Sequence, residues 1–180
     1  MIKQNECEGI PIINFNKGNI IGRFKEFLFL GNDRKAFGIL LEDSFLSSNK
    51  VILLENVIRL GKDAVFVDGE DVICKLKSVL TKNRLKKVYE IRNKEVYTKK
   101  GINLGMVYDV RVNELNCEIE CLEISNGMIA DIINGCNVLP LIGKVIFSKD
   151  SILVEDQAYE ELQVSKKGLN NYAGGVLEYV

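Results

Sequence analysis

Two stretches of the chain, 18–29 (GNIIGRFKEFLF) and 101–112 (GINLGMVYDVRV), align with one another without a gap. Both glycines of each stretch coincide, and an acid falls on an acid at Glu26 and Asp109. Apolar residues coincide at four further positions. Both stretches therefore predict the same partly buried strand, entered from a glycine-containing turn.

A second pair of similar stretches follows further along the chain. Residues 51–67 (VILLENVIRLGKDAVFV) align with 138–154 (VLPLIGKVIFSKDSILV), and each contains a Lys-Asp turn at the same place. The first pair of stretches is 83 residues apart and the second pair 87, so four extra residues fall within 113–137. A surface insertion of that size changes stability little. The order of the matching blocks predicts that one β-rich module occurs twice.

Each copy is predicted to consist of short strands joined by tight turns. Residues 10–13 and 95–97 form first strands, and each is followed by a hairpin turn whose glycine, Gly18 or Gly101, tolerates a positive φ. The second glycine of each pair, Gly22 or Gly105, marks a bulge. The remaining strands are expected at 36–41 and 117–124, at 51–60 and 138–147, and at 64–67 and 151–154.

Three short helices are also expected. The first starts at 68–71, where acids suit the positive end of a helix dipole, and its apolar residues then follow helical spacing. The second covers 127–134 behind the cap Asn126, and the third covers 155–162. The predicted fold is mainly β, with two small β-barrel repeats and short helices. The first repeat with its helix occupies 1–82, the second occupies 83–165, and a flexible or docking tail occupies 166–180.

The composition excludes several classes of site. Histidine is absent, which removes the commonest metal ligand and the commonest general base at neutral pH. The cysteines are five in number, and no Cys-x-x-Cys pair occurs. We therefore expect no catalytic residues, no cofactor and no metal. No apolar run reaches the roughly 20 residues of a membrane-spanning helix, and no signal peptide is recognisable, so a cytoplasmic location is expected.

The most unusual charge feature is the predicted linker, 75–100. It holds ten basic and two acidic side chains, while the remaining residues hold fourteen basic and twenty-three acidic ones. Such a patch could bind RNA, anionic headgroups or an acidic protein. The alternative, which we favour, is a solvated face that pairs with the acidic repeats. The partner-binding candidates are Lys82, Arg84, Lys86, Lys87, Tyr89 and Arg92.

Three smaller groups of residues allow both a structural and a functional interpretation. Cys117 and Cys121 are spaced to share one strand face, and buried apolar roles are favoured over metal ligation. The acids of 68–71 are better explained by a helix start than by a cation site. Glu26 and Asp109 could flank a shared groove, although roles in a turn or on a strand surface are favoured.

The arrangement resembles the PRC-barrel family. That family has a short strand, a turn glycine and then Gly-x-φ-x-[Asp/Glu]-φ, where φ is apolar. The chain has GRFKEF at 22–27 and GMVYDV at 105–110. The resemblance covers about 8–67 and 92–154, which makes tandem PRC-barrel repeats the expected organisation. It implies a small barrel, of a kind found in bacteria, that contacts proteins or ribonucleoproteins and has no shared enzymatic activity.

The leading functional hypothesis is therefore a non-enzymatic adaptor that contacts an unidentified protein partner through its two barrels. The alternative is a factor associated with RNA or ribonucleoprotein, similar to a ribosome maturation factor, that uses residues 75–100. Homo-oligomerisation stays open. An enzyme ranks last, because small barrels without histidine, a phosphate loop or metal ligands offer little for building a catalytic site.

Overall fold

A computed structural model describes residues 1–30, 33–42, 49–82, 88–89, 91–125 and 137–162. In chain order the elements are β1 (Ile2–Lys3), α1 (Gln4–Cys7), β2 (Pro11–Asn14), β3 (Ile20–Leu30), β4 (Ala36–Leu41), β5 (Lys50–Leu53), a 3₁₀ turn (Leu54–Asn56), β6 (Val57–Leu60), β7 (Val65–Val67), β8 (Ile73–Lys75), α2 (Leu76–Lys82), β9 (Val88–Tyr89), β10 (Glu95–Thr98), β11 (Asn103–Val112), β12 (Ile119–Ser125), β13 (Asn137–Pro140), β14 (Ile146–Phe147), β15 (Ser151–Val154) and α3 (156–162). The predicted β class is confirmed, with two curled half-barrel sheets and few short helices.

The chain divides into two compact units. The first unit comprises Met1–Ile91 with Asp109–Ile119, and the second comprises Arg92–Tyr108 with Glu120–Val180. In the first unit the strand order is β6-β7-β2-β3-β4-β5-β8, and β9 pairs with the end of β3. The later segment of this unit, Asp109–Ile119, joins the earlier one through the pairing of β11 with β1, in which Val112 lies opposite Ile2.

The other sheet follows the order β14-β15-β10-β11-β12-β13, which is the strand order β6-β7-β2-β3-β4-β5 of the first. The registers also correspond. Ile12 lies opposite Val65 in a parallel pair, as Val96 lies opposite Ile152. Each sheet therefore has one parallel pair, between its first strand and the strand after the Lys-Asp turn, and antiparallel pairs elsewhere along this order.

Both predicted bulges are present at corresponding positions. The register of β2 with β3 shifts so that Ile21 is the extra residue, immediately before Gly22. The register of β10 with β11 shifts so that Leu104 is extra, immediately before Gly105. The extra residue increases local strand twist, which is how a short strand curls towards barrel closure. The predicted hairpin turns are also confirmed, with a positive φ of 73° at Gly18 and 83° at Gly101.

The cores of the two sheets follow from the apolar alternation in the sequence. Phe24 is fully buried, and its ring centroid lies 4.8 Å from that of Phe27 in an edge-to-face contact. In the second unit Val107 occupies the position that corresponds to Phe24, and it is also fully buried. Burial of each such side chain contributes about 1.5–3 kcal/mol, so these two strands contribute to the stability of their units.

The first predicted helix was wrong at its start. Residues 73–75 form β8, which pairs with β5, and α2 begins only at Leu76. The acids of 68–71 serve another purpose, because Asp68 accepts a hydrogen bond of 2.7 Å from the Asn16 side chain. The third predicted helix is confirmed as α3. The predicted helix at 127–134 and the tail at 166–180 lie outside the described residues.

Candidate protein-binding cleft

A cleft of about 1110 Å³ opens on the first unit, and all of its lining residues belong to that unit. Five parts of the chain line it: the end of β3, the start of β4 with the residue before it, the stretch from Leu53 through β6, the β8–α2 region and residues 114–117. Its volume is slightly above the usual range for ligand sites, which is roughly 300–1,000 Å³. The lining is apolar on most sides, with charges on its rim.

One wall of the cleft is β6 itself. All four of its residues, Val57 to Leu60, border the cleft, and Ile58 is 49% exposed. Along β6 the register with β7 shifts at Ile58, so that Ile58 is an extra residue next to the exposed Arg59. An apolar side chain is thereby held in solvent on a sheet edge.

The floor of the cleft is continuous with the core. Phe37, Leu53 and Cys74 line it and are partly buried, and they pack on a buried cluster of Leu28, Leu40, Val51 and Val79. The floor is therefore rigid, because its side chains rest on close-packed neighbours. A ligand would meet a preformed apolar surface.

Another part of the lining is a tight turn whose backbone groups are hydrogen-bonded within the turn itself. The Asn113 side chain accepts a hydrogen bond of 2.8 Å from the Leu115 N–H, and the Cys117 N–H donates to the Asn113 carbonyl at 2.9 Å. Asn side chains favour such turns because they mimic a backbone acceptor. The turn leaves the Leu115 side chain 96% exposed at the cleft. A leucine held in water beside an apolar cleft is a candidate contact residue.

The rim of the cleft carries both signs of charge. Glu114 is paired with the Met1 ammonium at 2.6 Å. Glu55 and Arg59 are exposed, and Lys35 lies near Cys117. Within the described ranges neither Lys35 nor Arg59 has an ion-pair partner. These two cations can therefore bind an external anion without first breaking an internal pair.

Two thiols of the first unit, those of Cys7 and Cys117, are unsuited to nucleophilic chemistry. Burial raises the pKa of Cys7 to about 12, and the nearby Glu6 and Asp109 carboxylates act in the same direction. Burial also raises the pKa of Cys117, although the Lys35 ammonium opposes it. Since the thiolate is the nucleophile, both cysteines are held in the unreactive form at neutral pH. Cys74 differs, because it is partly exposed and lines the cleft.

The predicted common strand face for Cys117 and Cys121 was wrong. Cys117 precedes β12, in a turn with a positive φ of 55° that takes it out of strand geometry. Both thiols are nevertheless buried. Across the described part of the chain, no three Cys, Asp or Glu side chains are grouped in a way that could hold a metal ion.

We predicted a turn or strand-surface role for Asp109, but its side chain is buried. It is 1% exposed, and its carboxylate accepts a hydrogen bond of 3.1 Å from the Asn5 N–H at the start of α1. The buried Gln4 side chain accepts a hydrogen bond from the Phe27 N–H at 2.9 Å, which ties α1 to β3 as well. Asp109 therefore positions α1. Glu26, at the corresponding position of β3, is only partly buried.

The basic segment at 75–100 is divided between the two units. Of its partner-binding candidates, Arg84, Lys86 and Lys87 lie outside the described residues, as do the side chains of Lys82 and Tyr89, while Arg92 is partly buried in the second unit. Three further lysines have partners within the second unit. Lys94 donates to the Ser148 carbonyl at 2.6 Å, Lys99 pairs with Glu155 at 2.6 Å, and Lys100 pairs with Asp156 at 3.8 Å. Two of the ten basic side chains of that stretch, Lys99 and Lys100, are therefore balanced by acids of the second unit.

Sequence reasoning did not find the cleft, because its walls come from stretches far apart in the chain. Two local signals were available. Leu115 stands in an otherwise polar turn, and Ile58 interrupts the strand alternation next to Arg59. Neither signal shows that the two residues border the same cavity. None of the described helices has the length and apolar character needed to cross a membrane.

Comparison with known families gives one match. A model of the PRC-barrel domain matches residues 84–159, which include most of the second unit and the linker before it. No curated protein matches the chain. This part of the sequence is thus similar to PRC-barrel domains, as its glycine-containing motif suggested.

Proposed function

We propose that this chain is a non-enzymatic adaptor of the tandem PRC-barrel type that binds a protein partner in the cleft of its first unit. The family match over 84–159 is compatible with a binding role. The observation that carries the proposal is an apolar cleft of about 1110 Å³ with a rigid floor, at which Leu115 is 96% exposed. Apolar side chains held in water beside a cleft are typical of an interaction site.

The tandem organisation is the structural part of the proposal. Apart from β9, the first sheet lies outside the matched residues, but it has the same strand order as the second and a bulge at the corresponding position. Two independent folds would not be expected to share the strand order, the parallel pair and the bulge. We infer that 1–82 and 83–165 are two copies of one module, followed by a docking tail at 166–180.

The chemistry of the described residues also favours binding over catalysis. Histidine is absent from the whole chain, and two of the buried thiols have raised pKa values. The buried Asp109 carboxylate positions α1. A catalytic site needs a nucleophile or a base beside a substrate cavity. The cleft offers instead an apolar surface and two cations.

The test compares what the chain captures in cells when the cleft is altered. The variants Ile58→Asp and Leu115→Asp place a charge at exposed cleft positions. The matched control is Ile20→Asp, which changes an apolar residue of the same unit that is 56% exposed and does not line the cleft. In-cell cross-linking followed by mass spectrometry should recover a protein set with the wild type and the control, and lose at least tenfold of it with either cleft variant.

Far-ultraviolet circular dichroism and melting temperatures should match for all four proteins, so that misfolding does not imitate the loss. Equal capture by the wild type and both cleft variants, or no specific capture by any, would overturn the cleft proposal.

An RNA-associated role remains the second prediction, supported by the charge of residues 75–100. This role predicts that the chain shifts single-stranded or structured RNA in an electrophoretic assay at low salt, where phosphate contacts are strongest. The ion pairs of Lys99 and Lys100 within the second unit leave fewer cations for phosphate, so this role has less support than the adaptor.

A further inference from the structure

Strand β6 faces the cleft with its edge rather than with one of its two faces. Side chains of a strand alternate between its two faces, so a strand that presents one face to a cavity contributes every second residue. Here all four residues, Val57 to Leu60, line the cleft. The bulge at Ile58 does not account for this, because Arg59 and Leu60 follow it in regular register with β7 and both line the cleft. That pattern is expected when the cavity lies along the strand's edge, where side chains of both faces and the main chain are in reach.

The other edge of β6 is occupied by β7, with Arg59 opposite Phe66 and Leu60 opposite Val65. In the described ranges β6 has no second strand neighbour. The Val57 N–H is bonded to the Leu54 carbonyl, which ends the strand on one side. Ile58 to Leu60 therefore offer an open main-chain edge directly on the cleft.

We propose that this edge binds an extended segment of the partner protein by β-strand addition, and that the segment alternates apolar residues and carries a carboxylate. The proposal deepens the adaptor function and rests on it. An open strand edge supplies main-chain donors and acceptors for an extended peptide, while the adjacent cavity accepts its alternate side chains. A bound helix bonds its main-chain groups internally except at its two ends, so it cannot pair along such an edge.

The apolar anchors for such a segment are two exposed residues that line the cleft. Ile58 is the bulge residue of the edge, and Leu115 belongs to the turn at 113–117. Four residues of strand extend for about 13 Å, so a segment of four or five residues would cover β6. The Phe37 and Leu53 side chains of the floor are available to alternate side chains of the segment.

Charge complementarity indicates that the segment is acidic. Lys35 and Arg59 border the cleft without ion-pair partners in the described part of the chain, whereas Glu114 is already bound by the Met1 ammonium. Glu55 is the remaining acid on the rim. An Asp or Glu beside the apolar residues of the segment would satisfy a cation, and a Lys or Arg would meet repulsion from both.

A selection experiment tests this proposal with random peptides in place of the partner. A library of random linear twelve-residue peptides is displayed and selected on the immobilised full chain, and is counter-selected on the Leu115→Asp variant. Enriched peptides should contain apolar residues at alternate positions and at least one Asp or Glu. Their affinity should fall at least tenfold for Arg59→Glu and stay within threefold for the control Lys62→Glu, an exposed lysine outside the cleft.

The signature of strand addition is its dependence on the peptide main chain. N-methylation at alternate residues of a selected peptide should weaken binding at least tenfold, and N-methylation at the intervening residues should change it less than threefold. A helix or a side-chain-only contact gives no such two-residue alternation.

The remaining outcomes separate the two proposals. Peptides that bind the cleft without this alternation, or that are basic, overturn strand addition and leave the adaptor proposal standing. An empty selection overturns strand addition, and the in-cell capture experiment then decides the adaptor function by itself. A chain that dimerises in sedimentation and loses its dimer with Ile58→Asp shows that a second copy occupies the edge, which also overturns a separate partner.

Discussion

The turns after β2 and β10 have the same design but use different side chains. The strands end in the buried residues Asn14 and Thr98, and each side chain accepts hydrogen bonds from backbone N–H groups of the following turn. Each turn is also bound by an acid that follows the last shared strand, Asp68 in one case and Glu155 in the other. The two turns therefore have the same backbone arrangement, although different side chains stabilise it.

The two sheets differ at their edges. After β7 the chain forms β8, which adds to β5, whereas after β15 it enters α3 directly. Cys74 of β8 and Val79 of α2 then line the cleft. The described part of the second unit has no counterpart of β8. The cleft is therefore built partly by the element that distinguishes the two sheets.

The largest expected effect is on the free energy of unfolding and comes from Gly38, where the two sheets pack differently. A Cβ on Gly38 would lie 2.8 Å from the Ile52 carbonyl oxygen and 3.1 Å from a Val51 methyl group. The corresponding residue in the second sheet is Cys121, which carries a side chain. Gly38→Ala should therefore lower the free energy of unfolding by about 2–3 kcal/mol, and Cys121→Ala by about 1 kcal/mol. Urea unfolding measures both, and a loss for Gly38→Ala no larger than that for Cys121→Ala would contradict the tight packing around Gly38.

Much of this fold could be predicted from the sequence, because the signals were local. The spacing of Gly18 and Gly22, repeated at Gly101 and Gly105, predicted the turns and bulges that the structure contains. The helix start at 68–71 failed for a tertiary reason: residues 73–75 pair with β5, and that pairing overrides the local helical spacing. The cleft depends on such long-range pairing at every wall.

The next effect depends on pH and comes from the buried thiol of Cys7. The pKa of this thiol is about 12 in the folded chain against an ordinary value of 9.0. Below pH 9 both states keep the proton of Cys7 and its contribution is constant. Between pH 9 and 12 the unfolded chain loses this proton first, so stability falls as pH rises, by up to about 1.4 kcal/mol per pH unit.

The measurement is urea unfolding at pH 8 and pH 10 for the wild type and Cys7→Ala. The wild type should lose about 1 kcal/mol more than the variant over that interval, and an identical loss in both would contradict the assignment.

A smaller effect is expected where the chain enters the two sheets. Gly9 has a φ of 81°, and Asn93, at the corresponding position, has a φ of 63°. The Gly9 and Asn93 N–H groups donate to the corresponding carbonyls of Phe24 and Val107. A Cβ on Gly9 would meet only the Glu42 carboxylate, at 3.7 Å, so the strain is that of the backbone.

Gly9→Ala should therefore destabilise by about 1 kcal/mol. Gly9→Asn should cost less, since asparagine tolerates this conformation, and Asn93→Gly should be neutral or slightly stabilising. Thermal unfolding of the three variants would show the order, and an undiminished stability of Gly9→Ala would mean that the backbone at Gly9 differs in conformation from that at Asn93.

The smallest effect separates the two acids that bind the turns. Lys99 and Glu155 form an ion pair of 2.6 Å whose side chains are 45% and 30% exposed, so it should contribute about 0.5 kcal/mol or less. The Asp68 contact with Asn16 joins a carboxylate to a neutral amide. Glu155→Gln should therefore lose most of its effect in 1 M salt, whereas Asp68→Asn should lose little of its own, because screening acts most strongly between two charges. A double-mutant cycle of Lys99→Met with Glu155→Gln at both salt concentrations isolates the pair, and a coupling energy that does not change with salt would show that the contact acts as an ordinary hydrogen bond in both turns.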